Sequence, residues 1–344
     1  MTKIAHFISF GIGGADRAAL ELVRLLVNMY PNILLVYNDN SFPKLTSDQD
    51  PSQQLLDTYR EFKALANMHK VSDAYEITKL PIDILHTHRS GEDMWLIPGL
   101  ESISRNFKIV ETNFHGLKKT AADFRIFPSK TLMNFHKIEE STTNAVVPNI
   151  VNSFVGESLR NQYKIPSETI IFGRVGRSDK SIYSSNLLKQ YAKIESSNTL
   201  LLWVGRSELA ERDALRYNVK NVLWIDPVSD PEQMANLYET FDVYCHVNKL
   251  GETFGNTVAE SVIRGIPVAS LRGIKKYPQA QSELLDSEQY CISKKTFRDL
   301  LRKYREDENY RIFISQKNKE FGEKNLDSKK IIEKVINIYE SLIA

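Results

Sequence analysis

Short apolar runs alternate along this chain with stretches whose apolar positions recur every three or four residues. Residues 4–10 read as a strand. They are followed by a glycine turn and a helix over about 15–29, with Leu22, Leu25, Leu26 and Met29 as its apolar stripe. Residues 32–37, 82–86 and 107–112 read as further strands. Residues 41–76 are polar with weak helical periodicity, and Asp48, Asp50, Pro51 and Ser52 mark a loop there. In the second half, strands are predicted over 169–173, 200–204, 222–225, 241–247 and 268–269, and helices over 233–238 and 256–264. A final amphipathic helix starts at Asp327, which can cap it, and carries Ile331, Val335, Ile338 and Leu342 on one stripe. Strand alternating with helix in both halves predicts an α/β protein with parallel sheets and ligands at the carboxyl ends of the strands.

The glycines fall where predicted strands end. Gly11, Gly13 and Gly14 follow the first strand, but a dinucleotide fingerprint needs a third glycine at position 16, where Asp16 stands. That argues against an NAD-type oxidoreductase. Gly173 and Gly176 bracket Arg174, with Arg177 and Lys180 just beyond, three cations suited to a diphosphate. A basic turn with no ligand is the plainer reading of the same residues. Gly205 ends one strand, and Asp226 follows another.

The densest stretch is Gly251, Glu252, Thr253, Phe254, Gly255, Asn256 and onward to Glu260, closed by Gly265 and Pro267. It reads as loop, helix, turn and strand. A helix start near Phe254 and Gly255 offers amides and partial positive charge to a phosphate. Glu252 before the helix and Glu260 within it can accept hydrogen bonds from sugar and ribose hydroxyls. The alternative is a solvated helix with a surface glutamate at each end. His86 and His88 share one side of an extended segment. A metal would need a third or fourth ligand, and no residue is spaced to suggest one.

Glu252, seven residues and Glu260, with Phe254-Gly255 after the first glutamate and Gly265-Ile266-Pro267-Val268 after the second, resemble the signature of the retaining glycosyltransferases of glycosyltransferase family 4. The resemblance implies the GT-B fold, an α/β architecture of two Rossmann-like parallel-sheet domains facing a central cleft. The expected boundaries are 1–155 for an acceptor-side domain, 156–326 for a nucleotide-sugar-binding domain, and 327–344 for a helix crossing back to the first. It implies that Arg177 and Lys180 grip the donor diphosphate, with Arg174 as the alternative to Arg177, and that Gly176 lies beside them. It places Glu252 on sugar hydroxyls and Glu260 on the ribose. Thr253, Phe254, Gly255 and Asn256 would line the phosphate, and Gly205 and Asp226 the base. His115, which resembles the histidine of the family's Thr-x-His-Gly segment, would orient the sugar. Gly13 and Gly14 belong to a turn similar to the family's Gly-Gly-Ala-Glu-Arg loop near the acceptor, and Asp83, His86 and His88 match its Asp-x-x-His-x-His segment.

Composition changes this picture little. A chain of 344 residues with 42% hydrophobic and 26% charged residues suits two globular domains. Net charge is +2, which gives no reason to expect nucleic acid. Two cysteines make neither a disulfide framework nor a metal cluster, and a cytoplasmic location is expected. No apolar run reaches membrane-spanning length, and residues 1–10 read as a strand, not a signal peptide. The basic stretch 118–137, with Lys118, Lys119, Arg125, Lys130 and Lys137, suits either a solvated helix face or weak contact with an anionic membrane surface.

The expected activity is transfer of a sugar from a UDP- or GDP-sugar to a hydroxyl of a glycan or lipid-linked acceptor, with retention. It is expected to need no metal and no tightly bound cofactor. A catalytically silent sugar-nucleotide-binding module is the competing reading.

Overall fold

The computed structural model describes residues 2–11, 13–41, 52–89, 97–115, 122–177 and 179–344. The readings made at Asp48, Asp50, Pro51, Gly116, Lys118 and Lys119 lie outside them. The chain divides into two compact units, Met1–Val151 with Ser328–Ala344, and Asn152–Asp327.

In chain order the first unit contains β1 (Ile4–Phe7), α1 (Gly14–Leu26), β2 (Leu34–Tyr37), α2 (Ser52–Leu65), β3 (Asn67–Lys70), α3 (Ala74–Thr78) and β4 (Ile84–Arg89). It continues through β5 (Lys108–Asn113), β6 (Phe124–Phe127), α4 (Lys130–Phe135) and β7 (Asn144–Val146). The second unit holds β8 (Ile170–Val175), α5 (Asn186–Tyr191), β9 (Thr199–Val204), α6 (Glu208–Arg216), β10 (Val222–Ile225), α7 (Pro231–Tyr238) and β11 (Val243–Val247). After these come α8 (Asn256–Ile263), β12 (Val268–Leu271), β13 (Tyr290–Cys291), α9 (Lys294–Glu306) and α10 (Glu308–Asn325). The last helix, α11 (Ser328–Ile343), returns to the first unit.

Both sheets are wholly parallel. The first has seven strands in the order β3-β2-β1-β4-β5-β6-β7, the second six in the order β10-β9-β8-β11-β12-β13. In each, strand order reverses beside the first strand. Crevices at such reversals, at the carboxyl ends of the strands, are where doubly wound sheets bind ligands.

Alternation along the strands sends side chains to two layers. In the first unit Ile4, Ile84 and Val110 pack against α1 and α11, while Ala5, Phe7, Leu85 and Ile109 join Ala74 and Ile77 of α3 on the other face. α11 contributes Ile331, Ile332, Val335, Ile338 and Tyr339 to the first layer. Each such side chain stabilises by roughly 1.5–3 kcal/mol when fully buried. The stripe of α1 includes buried Leu22 and Leu26, with Leu25 partly buried, but the helix ends at Leu26 and Met29 is 50% exposed. In the second unit Val243, Cys245 and Val247 enter a core with Leu187, Leu188 and Tyr191 of α5 and Phe297, Leu300, Leu301 and Tyr304 of α9.

Candidate functional site

The reversal in the second sheet lies between β8 and β11. The segments leaving these two strands are joined directly, because the Lys249 amide donates to the Ile182 carbonyl at 2.8 Å. Topology therefore brings the 176–182 turn and the 248–256 loop to one place, although about seventy residues separate them in sequence.

The cations of the first turn divide by burial. Arg174 points inward and is 4% exposed. Its guanidinium donates to the carbonyls of Gly176 at 3.0 Å and Val204 at 3.2 Å, and lies 4.5 Å over the Trp203 ring. Burial lowers its pKa to about 10, so it stays charged at neutral pH. Arg174 thus ties the end of β8 to the end of β9 and is spent on backbone. Gly205 serves the same junction, since its φ is +89° and a Cβ there would lie 1.8 Å from the Gly176 carbonyl oxygen. Arg177 is different. Its side chain is 51% exposed, with Asp179 at 3.8 Å. Lys180 is exposed on the same turn, which Asp179 shapes by accepting from the Ser181 amide at 2.8 Å.

The 248–256 loop is fixed at both backbone ends of Glu252. Its amide donates to the Pro278 carbonyl at 3.0 Å, and its own carbonyl accepts from Ala280 at 2.9 Å. Its carboxylate Oε1 accepts from His246 Nε2 at 3.0 Å and from Asn248 Nδ2. Gly255 precedes α8 with φ +98° and ψ +63°, a left-handed conformation that explains glycine at this position. Phe254 is buried and anchors the turn, while Thr253 and Asn256 are half-buried. The Val258 amide donates to the Gly255 carbonyl at 3.0 Å, and a helix N-terminus of this kind favours an anion through its outermost amides. Glu260, one helical turn further than Asn256, accepts from Tyr238 OH at 2.7 Å. Burial, reinforced by Glu260, pushes the Tyr238 hydroxyl pKa well up, so it remains a donor. Arg264 caps the arrangement by donating to the carbonyls of Asn152, Phe154 and Glu260, each at 2.9 Å.

At the ends of β9 and β10, the Gly205 and Arg206 amides both donate to the Ile225 carbonyl at 3.0 Å. Asp226 follows on the exposed side. The structure therefore gathers Gly176, Arg177, Lys180, Glu252, Thr253, Phe254, Gly255, Asn256 and Glu260 around one strand reversal, with Gly205 and Asp226 on the neighbouring strand ends. Arg174 lies beneath them.

In the first unit His115 is exposed after β5, and the His136 side chain bonds its backbone. Burial, opposed by that bond, lowers the His136 pKa. Sequence reading missed His136 because nothing in its spacing points to a residue twenty-one positions earlier. Gly13 is the N-cap of α1 with φ −81°, backbone that any residue adopts. Asp16 accepts from the Gly13 amide at 3.2 Å and from the Ser9 hydroxyl, so it closes the turn as a capping side chain.

His86 and His88 do acquire a third imidazole, His6 of β1, and their ligand atoms lie within 4.8 Å of one another. Several of their nitrogens already have hydrogen-bond partners, however. His6 Nδ1 meets His88 Nε2 at 3.0 Å, with ring planes 10° apart and centroids separated by 5.3 Å, an edge-to-edge N–H···N bond. His86 bonds Tyr339 OH at 2.6 Å and Thr112 Oγ1 at 2.8 Å. Burial depresses all three pKa values, that of His88 to about 3. They form a neutral hydrogen-bonded core under α11. A cavity of about 30 Å³ beside His88, Thr112 and Asn149 has room for a water or two, not for a sugar.

No helix among the described residues is long and apolar enough to cross a membrane. No protein-family model matches the chain. No curated protein matches it either. Solved structures do. A glycosyltransferase from Rickettsia africae superposes with a TM-score of 0.74 at 14% identity, over 99% of this chain and 98% of the other. HepE of Anabaena, crystallised with UDP and glucose, gives a TM-score of 0.73 at 13% identity over 99% of this chain and all of its own. WaaG, a glycosyltransferase involved in lipopolysaccharide biosynthesis, gives 0.66 at 12% identity over 98% and 99% of the two chains. With two wholly parallel α/β sheets and these near full-length superpositions, the chain has the GT-B fold.

Proposed function

We propose that this protein is a retaining glycosyltransferase that moves a sugar from a nucleotide-diphosphate donor to a hydroxyl of a glycan or lipid-linked acceptor without a metal. One observation carries the reading: the Lys249–Ile182 hydrogen bond sets two exposed cations, a helix N-terminus and two glutamates around one strand reversal. Negative charge builds on the departing nucleotide diphosphate. Arg177, Lys180 and the N-terminal amides of α8 stabilise it in this reading, and one such preorganised donor is worth about 2.7–4 kcal/mol. Glu252 binds sugar hydroxyls and Glu260 the ribose, while Gly205 and Asp226 flank the base. In the first unit, His115 is assigned to orienting the sugar, and Gly13 and Gly14 to the acceptor side. Similarity to HepE, which was crystallised with UDP and glucose, makes UDP-glucose the first donor to test and GDP-mannose the second.

The test incubates the protein with UDP- and GDP-sugars and follows nucleotide diphosphate release by mass spectrometry. Release with at least one donor is expected, and Lys180→Ala is expected to lower it at least tenfold. Turnover within a few-fold of wild type in that variant contradicts the assignment. Binding without release, across varied acceptors, identifies a silent binding module instead.

A further inference from the structure

We propose that His246 is a positioning residue for Glu252, holding its carboxylate so that one oxygen alone is presented to a hydroxyl of the donor sugar. The inference rests on the sugar-nucleotide reading given above and goes beyond it, to how the glutamate selects what it binds.

His246 lies in β11, where alternation turns it away from the Val243, Cys245 and Val247 core face. It is 2% exposed. Its Nδ1 lies 3.3 Å from the hydroxyl of Ser270, a fully buried residue in the register position directly opposite on β12. Its Nε2 lies 3.0 Å from Glu252 Oε1. A carboxylate accepts and does not donate, so Nε2 carries the proton, and Nδ1 accepts from Ser270 Oγ in the neutral imidazole. The carboxylate thus sets the tautomer, and Ser270 on the far side holds the ring so that Nε2 faces Glu252.

Asn248 Nδ2 donates to the same Oε1. Two N–H groups therefore occupy that oxygen. Oε2 has no hydrogen-bond partner among the described residues, and the Glu252 side chain is 22% exposed. The Glu252 backbone is pinned on both sides by Pro278 and Ala280. Backbone and Oε1 are both fixed by the protein, so Oε2 is an acceptor already oriented before the sugar arrives. Preorganisation of this kind removes an ordering cost from the bound state. An acceptor that cannot rotate favours a hydroxyl in one stereochemical position, which is how a hexose is told from its epimer.

The experiment compares wild type with His246→Leu, His246→Gln and Asn248→Ala. The probes are the nucleotide-sugar turned over fastest in the donor panel, its 2-, 3-, 4- and 6-deoxy forms, and the free nucleotide. His246→Leu is expected to lower kcat about tenfold or more while changing affinity for the free nucleotide less than twofold, which also reports that the variant is folded. His246→Gln, whose amide can still donate, is expected to recover most of the loss, and Asn248→Ala to cost less than His246→Leu. One deoxy donor is expected to be poor with wild type and no poorer with His246→Leu, because the hydroxyl and the imidazole act through the same carboxylate. A merely structural histidine lowers every donor by one common factor. That uniform pattern, or unchanged kcat in His246→Leu, overturns the proposal. Absence of binding and release with every donor in wild type overturns the underlying sugar-nucleotide reading, and this inference with it.

Discussion

Arg174 and Arg177 stand three positions apart and do opposite work. Arg174 spends its guanidinium on the Gly176 and Val204 carbonyls beneath the surface, while Arg177 stays exposed. Sequence alone left the two open, since each follows a glycine. What separates them is strand alternation against Trp203, a contact twenty-nine residues away that local reading does not supply. Arg174→Met is expected to cost about 2–3 kcal/mol of stability, the loss of charged hydrogen bonds to buried carbonyls. Arg177→Ala is expected to stay within about 0.5 kcal/mol. Urea denaturation of both variants checks this. The order reverses for nucleotide affinity, where Arg177→Ala is expected to lose roughly tenfold. The places of Glu252, Gly255 and Glu260 in a loop and the helix after it were legible because a tight glycine turn before a helix leaves fixed offsets in the chain. Their holders, His246, Ser270 and Tyr238, were not, because those contacts depend on strand register and helix packing.

Most parallel strands were legible as apolar runs, and β10 runs over the predicted residues. Four strands were missed, β3, β6, β7 and β13, the first two for identifiable reasons. β3 has the sequence Asn67-Met68-His69-Lys70, lies at the sheet edge and is mostly exposed, so it carries no buried pattern. β6 sits inside the basic stretch that was read for its charge, yet Phe124, Ile126 and Phe127 are buried. Helix α11 was legible from its stripe, but its polar anchor was not: Tyr339 reaches His86, 253 residues away in sequence, at 2.6 Å. Tyr339→Phe leaves that buried imidazole nitrogen without its partner. The expected cost is about 1–2 kcal/mol. It is read as a lower urea midpoint with an unchanged m-value.

For the whole molecule, acid acts against the histidine layer of the first unit. His6 and His86 are buried and His88 is half-buried, with folded pKa values depressed by desolvation and, for His6 and His86, by neighbouring imidazoles. The unfolded chain therefore binds protons that the folded first unit refuses. Stability attributable to these groups is intact above about pH 6.5. It is expected to fall as pH drops from there toward about 3, the folded value of His88, by up to about 1.4 kcal/mol per pH unit for each imidazole. Denaturant midpoints between pH 7.5 and 4.5 check the slope, and His88→Gln is expected to flatten it. Two parallel α/β units followed from alternating strands and helices, whereas the neutral histidine layer needed β1 and β4 to be neighbours before it could be seen. The central claim is the proposal that the second unit holds the diphosphate of a sugar donor at the β8–β11 reversal. The most direct measurement is a crystal structure of the protein soaked with UDP-glucose or GDP-mannose. The account predicts diphosphate oxygens within hydrogen-bonding distance of Arg177, Lys180 and the first-turn amides of α8, with a sugar hydroxyl on Glu252 Oε2. A nucleotide bound away from both the 176–180 turn and the 251–256 loop would contradict it.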